Sequence, residues 1–238
     1  MCGKNRFRNL ALLSAGTLAG TLAGTEAASA EGRNGSEAPK KPNILFFLVD
    51  DLGWSDIGCF GSRFHETPNI DRLAEEGVRF TNAYAACHVS SPTRASLMTG
   101  RYPASIRLTD WLPGRKNWPF QRLLNAPVEQ HLPFEEITVA ETLRDNGYAT
   151  AIIGKWHLGK GDSNPLAHGF DEHIPLGYNE GWPQGYYAPF RLNGYEGEEG
   201  EYLTDVMTRE ATKYIEEHKD GPFFLYMSHF AVHDPIQG

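Results

Sequence analysis

The chain has 238 residues, of which 40% are hydrophobic and 22% are charged. These proportions suit a globular protein with a hydrophobic core in one or two domains, and they exclude a disordered, collagen-like or coiled-coil chain. The formal net charge of −8 argues against a nucleic-acid partner, but a locally basic site could still bind an anionic substrate.

The first 30 residues have the pattern of an export signal. Basic residues precede a small, apolar run over 10–24, and an A-x-A cleavage site follows at 28–30. The run is too short and too rich in Gly and Thr for stable membrane insertion; a disordered N-terminal tail is the alternative. We therefore expect export to the periplasm or the extracellular space, with a polar linker over 31–41 and one domain over 42–238.

Strands and helices are predicted to alternate along the rest of the chain. Ile44–Val49 is a run of six apolar residues, which is typical of a strand buried on both faces. Thr67 and Pro68 have the pattern of a helix start and Gly77 of its end. The alternation of apolar and polar residues over 78–84 predicts another strand.

The second half repeats this alternation. Thr138 and Glu141 have the spacing of a capping box, and Gly147 would end the helix that they begin. The segment YATAIIGK predicts a strand, the apolar stripe over 203–215 predicts a core-facing helix, and FFLYMSH predicts a buried strand. The sequence therefore predicts an α/β fold with a largely parallel central sheet flanked by helices.

Charged residues follow two of the predicted strands, at the sheet edge where ligands of parallel sheets bind. Asp50 and Asp51 are adjacent carboxylates that a hard cation such as calcium or magnesium would neutralise; a solvated strand-to-loop turn is the alternative. Lys155 and His157 combine a cation with an imidazole, which suits anion binding beside a proton transfer. The alternative there is a lysine at a strand end and a histidine packed under Trp156.

The segment AACHVSSPTRASLMTGRYP contains three candidate nucleophiles, Cys87, Ser90 and Ser91. Pro92 suits a first helical turn, so the two serines are predicted at a helix N-terminus, where backbone N–H groups and the dipole favour an anion. Arg94 is unfavourable for that dipole, which indicates another task. An ordinary capping sequence is the alternative, but the combination with the metal and Lys/His candidates indicates one active site.

Several segments together resemble the sulfatase family of the alkaline phosphatase superfamily. SSPTRASLMTGR is similar to the first sulfatase signature and GKWHLG to the second. The flanking blocks, which occur in the family order from Pro42 to the end, are NILFFLVDDLGWSDIGCFGS, TPNIDRLAEEGVRFTNAYA, HGFD and PFFLYMSHFAVHDP. The resemblance implies an alkaline phosphatase-like fold and hydrolysis of the sulfate esters of a carbohydrate or aryl substrate. A phosphatase or phosphonate-ester hydrolase of the same superfamily, and an inactive homologue, are the alternatives.

The resemblance also implies which residue is the nucleophile. Ser90 lies four residues before Arg94 in the Ser-x-Pro-x-Arg pattern, whereas Cys87 lies three residues too early. In the family this residue becomes formylglycine, and a serine precursor implies a radical-type maturase as a partner. Arg94 would hold the modified side chain, and Asp50 and Asp51 would bind calcium together with the modified Ser90.

Further roles are carried over in the same way. Lys155 would bind the sulfate group, His157 would act as the base in sulfate elimination, and His233 would contact the sulfate or the leaving oxygen; His229 is a secondary candidate. Family members continue beyond the last block and supply more metal ligands there. Because two carboxylates leave calcium short of its usual six to eight oxygens, we expect this chain to be an N-terminal portion, inactive and a poor calcium binder by itself.

Two stretches, 103–136 and 177–200, have the composition of long surface segments. The first has weak periodicity and is predicted to be a surface excursion that could line a substrate cleft. Their aromatic residues could stack on sugar rings, although aromatic residues in loops more often serve in packing. These residues are Trp111, Trp118, Trp182, Tyr186 and Tyr187.

Overall fold

The computed structural model describes residues 41–174, 181, 183, 185–190, 192 and 195–237. The predicted signal peptide, the predicted linker up to residue 40 and the aromatic candidate Trp182 lie outside these residues.

The described residues form a four-stranded sheet whose order is β1-β4-β2-β3. The strands are β1 (Ile44–Leu48), β2 (Ala149–Gly154), β3 (Glu172–Ile174) and β4 (Phe223–Ser228). Every pair of neighbours runs parallel, so the carboxyl ends of β1, β2 and β4 meet at one edge of the sheet. The predicted α/β fold with a parallel central sheet is confirmed.

Helices connect the strands, and some of them pack on the sheet. The α-helices of the described residues are α1 (Pro68–Glu76), α2 (Ser90–Thr99), α3 (Val139–Asp145) and α4 (Leu203–His218), with short 3₁₀ helices at Gly58–Phe60 and Pro165–His168. The predicted capping box of α3 is present, because Thr138 Oγ1 accepts from the Glu141 N–H and the Glu141 carboxylate accepts from the Thr138 N–H. None of these helices is both long and apolar enough to cross a membrane.

The central strand β4 is buried along its whole length and separates two hydrophobic clusters. Phe223, Leu225 and Met227 belong to one cluster, which contains the buried stripe of α4. Phe224 and Tyr226 belong to the other, which contains residues of α2 and α3. This division follows from the alternation of side chains along a strand, and it confirms the predicted core positions of α4 and β4.

The first strand differs from its prediction. Leu45, Phe46 and Phe47 are 39%, 36% and 53% exposed, so β1 is not buried on both faces. The reason is its position, since β1 is an edge strand of the described sheet and pairs only with β4 there. A run of apolar residues indicates that its side chains favour burial. They are buried only where another layer of the fold packs against the strand.

Two other differences concern short segments. The strand predicted over 78–84 is wrong, because these residues form no ladder and Val78 and Tyr84 are 81% and 86% exposed. The three-residue strand β3 was not predicted, since Glu172–Ile174 is too short to show a period. In both cases the structure depends on whether the segment pairs with another strand. The alternation of apolar and polar residues within the segment does not indicate that pairing.

The excursion over 103–136 is confirmed as an irregular segment without helix or strand. It is not simply a surface loop, because Ile106, Leu108 and Leu132 are at most 3% exposed and belong to the cluster beside α2 and α3. These apolar anchors attach the excursion to the core at both of its ends, and they leave the middle of the segment outside.

Candidate active site

Asp50 lies directly beyond β1 and is held by two cations. It is 6% exposed, its Oδ1 lies 3.1 Å from Arg94 Nη2, and its Oδ2 accepts from Lys155 Nζ. Burial alone would raise the pKa of Asp50, but the charges and hydrogen bonds of Arg94 and Lys155 outweigh burial and lower it. Asp50 is therefore an ionised carboxylate at the centre of the candidate site.

Arg94 connects three elements of the fold. From α2, its Nε donates to Ser90 Oγ at 2.9 Å, and its Nη1 donates to the Lys155 carbonyl oxygen at 3.1 Å and to Ser228 Oγ. Ser228, the last residue of β4, donates in turn to the Lys155 carbonyl oxygen at 2.7 Å. The prediction that Arg94 has a task other than helix formation agrees with these contacts. Sequence reasoning missed Ser228; its place at the end of a buried strand was the available signal.

Ser90 is the first residue of α2, and its hydroxyl lies within this network. Ser90 Oγ lies 3.5 Å from Asp50 Oδ1, while Cys87 Sγ lies 3.8 Å from His88 Nδ1. Ser91 is fully buried, and its hydroxyl accepts from the Leu112 N–H at 3.1 Å. Of the three candidate nucleophiles, the structure brings only Ser90 to Asp50 and Arg94, and it gives Ser91 a structural contact.

Lys155 follows β2 and has no exposed surface. Burial and the neighbouring Arg94 lower the pKa of Lys155 to about 8, although Asp50 opposes the shift. The ammonium group of Lys155 therefore loses its proton at a lower pH than an ordinary lysine does, but it is still mostly charged at pH 7. Its mobility is restricted by the surrounding side chains, so it can act as a fixed positive charge for an anion.

His157 has a left-handed backbone, with φ of 56°, and its ring is anchored. Nε2 lies 2.9 Å from the Leu112 carbonyl oxygen, and buried Nδ1 has no hydrogen-bond partner among the described residues. Burial and then the charge of Lys155 lower the pKa of His157 to about 4, so the ring is neutral at pH 7. Because a carbonyl can only accept, the proton resides on Nε2, which leaves Nδ1 free to take a proton.

Asp51 and His233 lie at the open side of the site. Asp51 Oδ2 is 3.8 Å from His233 Nε2, and His233 Nδ1 is 2.9 Å from Asp234 Oδ1. Asp51 also has a left-handed backbone, with φ of 58°. His229 is placed elsewhere, because its ring packs on Phe47 with centroids 4.6 Å apart. The structure therefore brings His233, and not His229, to the carboxylates.

A cleft of about 1010 Å³ joins these residues to the excursion. Asp51, Ser90, His157 and His233 line it. The excursion contributes another part of its wall, which consists of Trp111, Leu112, Pro113, Gln130 and His131. Since the Leu112 N–H is held by Ser91 and the Leu112 carbonyl by His157, this wall is fixed to the candidate site at two points.

Two other aromatic candidates are not part of the cleft. Tyr186 is 3% exposed and belongs to the cluster beside α4, and the Tyr187 ring packs on Tyr202 with centroids 5.1 Å apart. Both rings therefore serve in packing, and Tyr186 Oη also donates to the His233 carbonyl oxygen at 3.0 Å.

The metal prediction fits the described residues only in part. Asp50, Asp51 and Ser90 offer the oxygen donors that calcium prefers, but both carboxylate oxygens of Asp50 contact cations. The described part of the chain contains no cluster of three or more His, Cys, Asp or Glu residues that could hold a metal ion. These donors are fewer than the six to eight oxygens of a calcium site, so the described residues do not complete one.

Comparison with known proteins identifies a protein family that matches most of this chain. A family model described as Sulfatase matches residues 42–237. N-acetylgalactosamine-6-sulfatase of Homo sapiens is 37% identical over 226 residues, which are 86% of this chain and 42% of that protein. N-acetylgalactosamine-6-O-sulfatase of Bacteroides thetaiotaomicron is 30% identical over 269 residues, with 85% of this chain and 50% of that protein covered. The chain thus spans about half the length of these relatives, or less.

Solved structures show the same similarity. The crystal structure of Ps i-CgsB in complex with k-i-k-neocarrahexaose has a TM-score of 0.67 and 36% identity, and the match covers 84% of this chain and 47% of that one. The structure of BT4656 in complex with D-glucosamine-2-N,6-O-disulfate has a TM-score of 0.63 and 33% identity, with 82% and 35% covered.

Proposed function

Because this chain belongs to the sulfatase family, we propose that the protein hydrolyses sulfate esters of a carbohydrate in the cleft at Ser90. The observation that carries the proposal is the network in which Arg94 holds Ser90 Oγ and Asp50 while Asp50 contacts Lys155. It places one hydroxyl beside the Asp50 carboxylate and the Arg94 guanidinium in the lining of the cleft, while Lys155 contacts the same carboxylate. This arrangement suits an anionic substrate and a reaction at an oxygen atom.

Ser90 is proposed to act after conversion to formylglycine. A radical-type maturase would remove two hydrogens from the Ser90 CH₂–OH group, and the hydrated aldehyde would supply the attacking oxygen. The position of Ser90 supports this assignment, because Arg94 Nε donates to Oγ at 2.9 Å and would keep the oxygen directed into the cleft. Cys87, the alternative precursor by residue type, has no contact with Arg94 or Asp50 among the described residues.

The other residues would bind the substrate and move protons. Lys155 and the N-terminus of α2 would neutralise the charge of the sulfate group. His157, neutral with its proton on Nε2, would accept a proton at Nδ1, and Leu112 would maintain that tautomer. His233 would serve the leaving oxygen, because it lines the cleft and its Nε2 lies 3.8 Å from Asp51 Oδ2.

Calcium is proposed to bind at Asp50, Asp51 and the modified Ser90, with further oxygen ligands from outside the described residues. When bound, the ion would polarise an oxygen of the sulfate group and stabilise its developing charge. The adjacent carboxylates support this proposal, since Asp50 is buried while Asp51 points to the cleft.

Export is the proposed route to the site of action. The proposal is supported by the basic, apolar and A-x-A segments within residues 1–30. A periplasmic or extracellular location would give the protein access to polymeric sulfated carbohydrates.

Two measurements test the proposed function. Mass spectrometry of the Ser90 peptide, from protein made together with a radical-type maturase, should show the loss of two hydrogens. A form of the protein whose calcium site is complete should hydrolyse a sulfate monoester faster than the matching phosphate monoester, whereas the described residues alone should not. Ser90→Ala should lower kcat/KM at least about 1,000-fold, whereas Cys87→Ala, the matched control, should keep it. Faster turnover of the phosphate monoester, or loss of activity in Cys87→Ala, would contradict the proposal.

A further inference from the structure

A loop over residues 115–125 of the excursion is closed by hydrogen bonds that involve Asn117 and Asn125. The Asn125 N–H donates to Asn117 Oδ1 at 2.8 Å, and Asn125 Nδ2 donates to the carbonyl oxygens of Arg115 and Lys116 at 3.1 and 3.2 Å. These bonds join the two ends of the loop. The backbone is thus held in one shape without help from a hydrophobic interior.

The apolar side chains of this loop face outward. Trp118, Phe120, Leu123 and Leu124 are 56%, 81%, 82% and 83% exposed. The rings of Trp118 and Phe120 are stacked, with centroids 6.1 Å apart and planes inclined by 15°. A fixed loop that exposes several large apolar side chains together marks an interaction site more often than a single exposed residue does.

The charge of the loop indicates an anionic partner. Lys116 and Arg122 are exposed and form no ion pair with the described residues, while Arg115 pairs with Asp110 at 3.4 Å. No acidic residue occurs between Trp111 and Val128, although the chain as a whole has a net charge of −8. The loop is therefore a basic and aromatic surface on an acidic protein, which selects for a negatively charged ligand with flat or apolar faces.

The loop is continuous with the wall of the cleft. Trp111 and Pro113 precede it and Gln130 follows it, and all three line the cleft. Gln130 Nε2 donates to the Pro113 carbonyl oxygen at 3.3 Å, which joins the two sides at the base of the loop. Both ends of the loop are therefore connected through short segments to residues that line the cleft.

We propose that the loop over residues 115–125 is a second binding site for a sulfated polysaccharide, which receives sugar units beyond the unit held in the cleft. Trp118 and Phe120 stack on sugar rings, and Lys116 and Arg122 pair with their sulfate groups. The inference rests on the proposed function and extends it, because it makes a polymer, and not a single sulfated sugar, the preferred substrate class. An anionic bilayer shares part of this chemistry, but continuity with the cleft favours the polysaccharide.

Binding measurements with matched variants test the inference. The ligands are a carrageenan hexasaccharide and galactose 4-sulfate, measured by isothermal titration calorimetry against the complete chain. The loop variants are Trp118→Ala/Phe120→Ala and Lys116→Gln/Arg122→Gln. The controls are Phe64→Ala, an aromatic residue that is 87% exposed outside the loop and the cleft, and Lys213→Gln, an exposed cation on α4. Circular dichroism shows whether each variant keeps the fold.

The wild-type protein should bind the hexasaccharide more tightly than the monosaccharide. Each loop variant should weaken hexasaccharide binding about tenfold and change monosaccharide binding by less than about twofold, as the loss of a contact remote from the cleft requires. The controls should change neither affinity. A wild-type protein without preference for the hexasaccharide, or loop variants that keep that preference, would overturn the inference.

Two further results separate the inference from its alternatives. Binding of neither sugar would contradict the proposed function as well, whereas binding of both with equal affinity overturns only the second site. Binding to vesicles of phosphatidylglycerol and phosphatidylcholine tests whether the loop binds an anionic bilayer instead. Loop variants that lose vesicle binding but keep wild-type affinity for the hexasaccharide would assign the loop to a membrane surface and overturn the proposal.

Discussion

Replacement of Asp50 by asparagine tests the electrostatic interpretation of the site most directly. The change keeps the shape of the side chain but removes the negative charge shared by Arg94 and Lys155. Two buried cations would then face each other without a counterion, because Arg94 and Lys155 are 2% and 0% exposed. We expect a large loss of stability that arises mainly from Arg94.

The two cations differ because only lysine can lose its proton. The pKa of Lys155 is already lowered to about 8. Deprotonation of Lys155 at pH 7 should therefore cost only on the order of 1 kcal/mol, after which a neutral amine replaces the ammonium. Arg94 stays charged at any ordinary pH. Its loss of a carboxylate 3.1 Å away should cost about 3–5 kcal/mol, the range measured when one partner of a buried ion pair is removed.

Urea unfolding at pH 7 with a metal chelator measures these differences. Asp50→Asn should lower the free energy of unfolding by about 3–5 kcal/mol. Adding Arg94→Met should recover most of this loss, and adding Lys155→Met should recover only on the order of 1 kcal/mol. The reasoning is refuted if Asp50→Asn lies within about 0.5 kcal/mol of the wild type, or if the lysine replacement rescues stability as well as the arginine replacement does.

Three other predictions follow from single contacts. His157 is buried with a pKa of about 4, below its ordinary value near 6.5. The unfolded chain therefore takes up a proton first, and stability should fall by up to about 3 kcal/mol as the pH is lowered from 6.5 to 4; His157→Gln should show a shallower acid dependence in urea titrations, and an unchanged slope would contradict the assignment. Ser91→Ala removes the acceptor of the Leu112 N–H, so the free energy of unfolding should fall by about 1 kcal/mol and the Leu112 amide should exchange faster in NMR. Gly154 has φ of 97°, and an added Cβ would lie 2.2 Å from the Ser228 carbonyl oxygen; Gly154→Ala should therefore cost about 3 kcal/mol or more in thermal unfolding.

The regular core was predictable because its signals are local. The apolar stripe of α4 and the unbroken run of β4 lie within single segments, and both are buried as predicted. The run of β1 is equally apolar, yet it is exposed at the edge of the described sheet. The two strands differ in the number of strands and layers that surround them. This number cannot be predicted from a few neighbouring residues of the sequence.

The sequence predicted which residues belong to the candidate site, but it did not predict which of them contact each other. Asp50, Ser90, Arg94, Lys155 and His157 were selected from strand ends, a helix start and the two signature segments. Their residue types agree with the observed charges. Two participants escaped prediction: Ser228, whose one signal in the sequence was its place at the end of a buried strand, and the Leu112 carbonyl, which lies in an irregular segment and belongs to no motif. Ser228 and Leu112 act through one hydroxyl and one carbonyl, whose positions depend on the whole fold.

The amino-acid sequence by itself predicted the family and most of the strands and helices, and it selected Ser90 rather than Cys87 as the expected nucleophile, because these inferences rest on motifs within single segments of the chain. Only the tertiary structure decided that Asp50 pairs with Arg94 and with Lys155, which lie 44 and 105 positions away along the chain. It also decided that His157 is neutral. Burial and ion pairing depend on distances in space, and these exist only after the strand ends have met at one edge of the sheet.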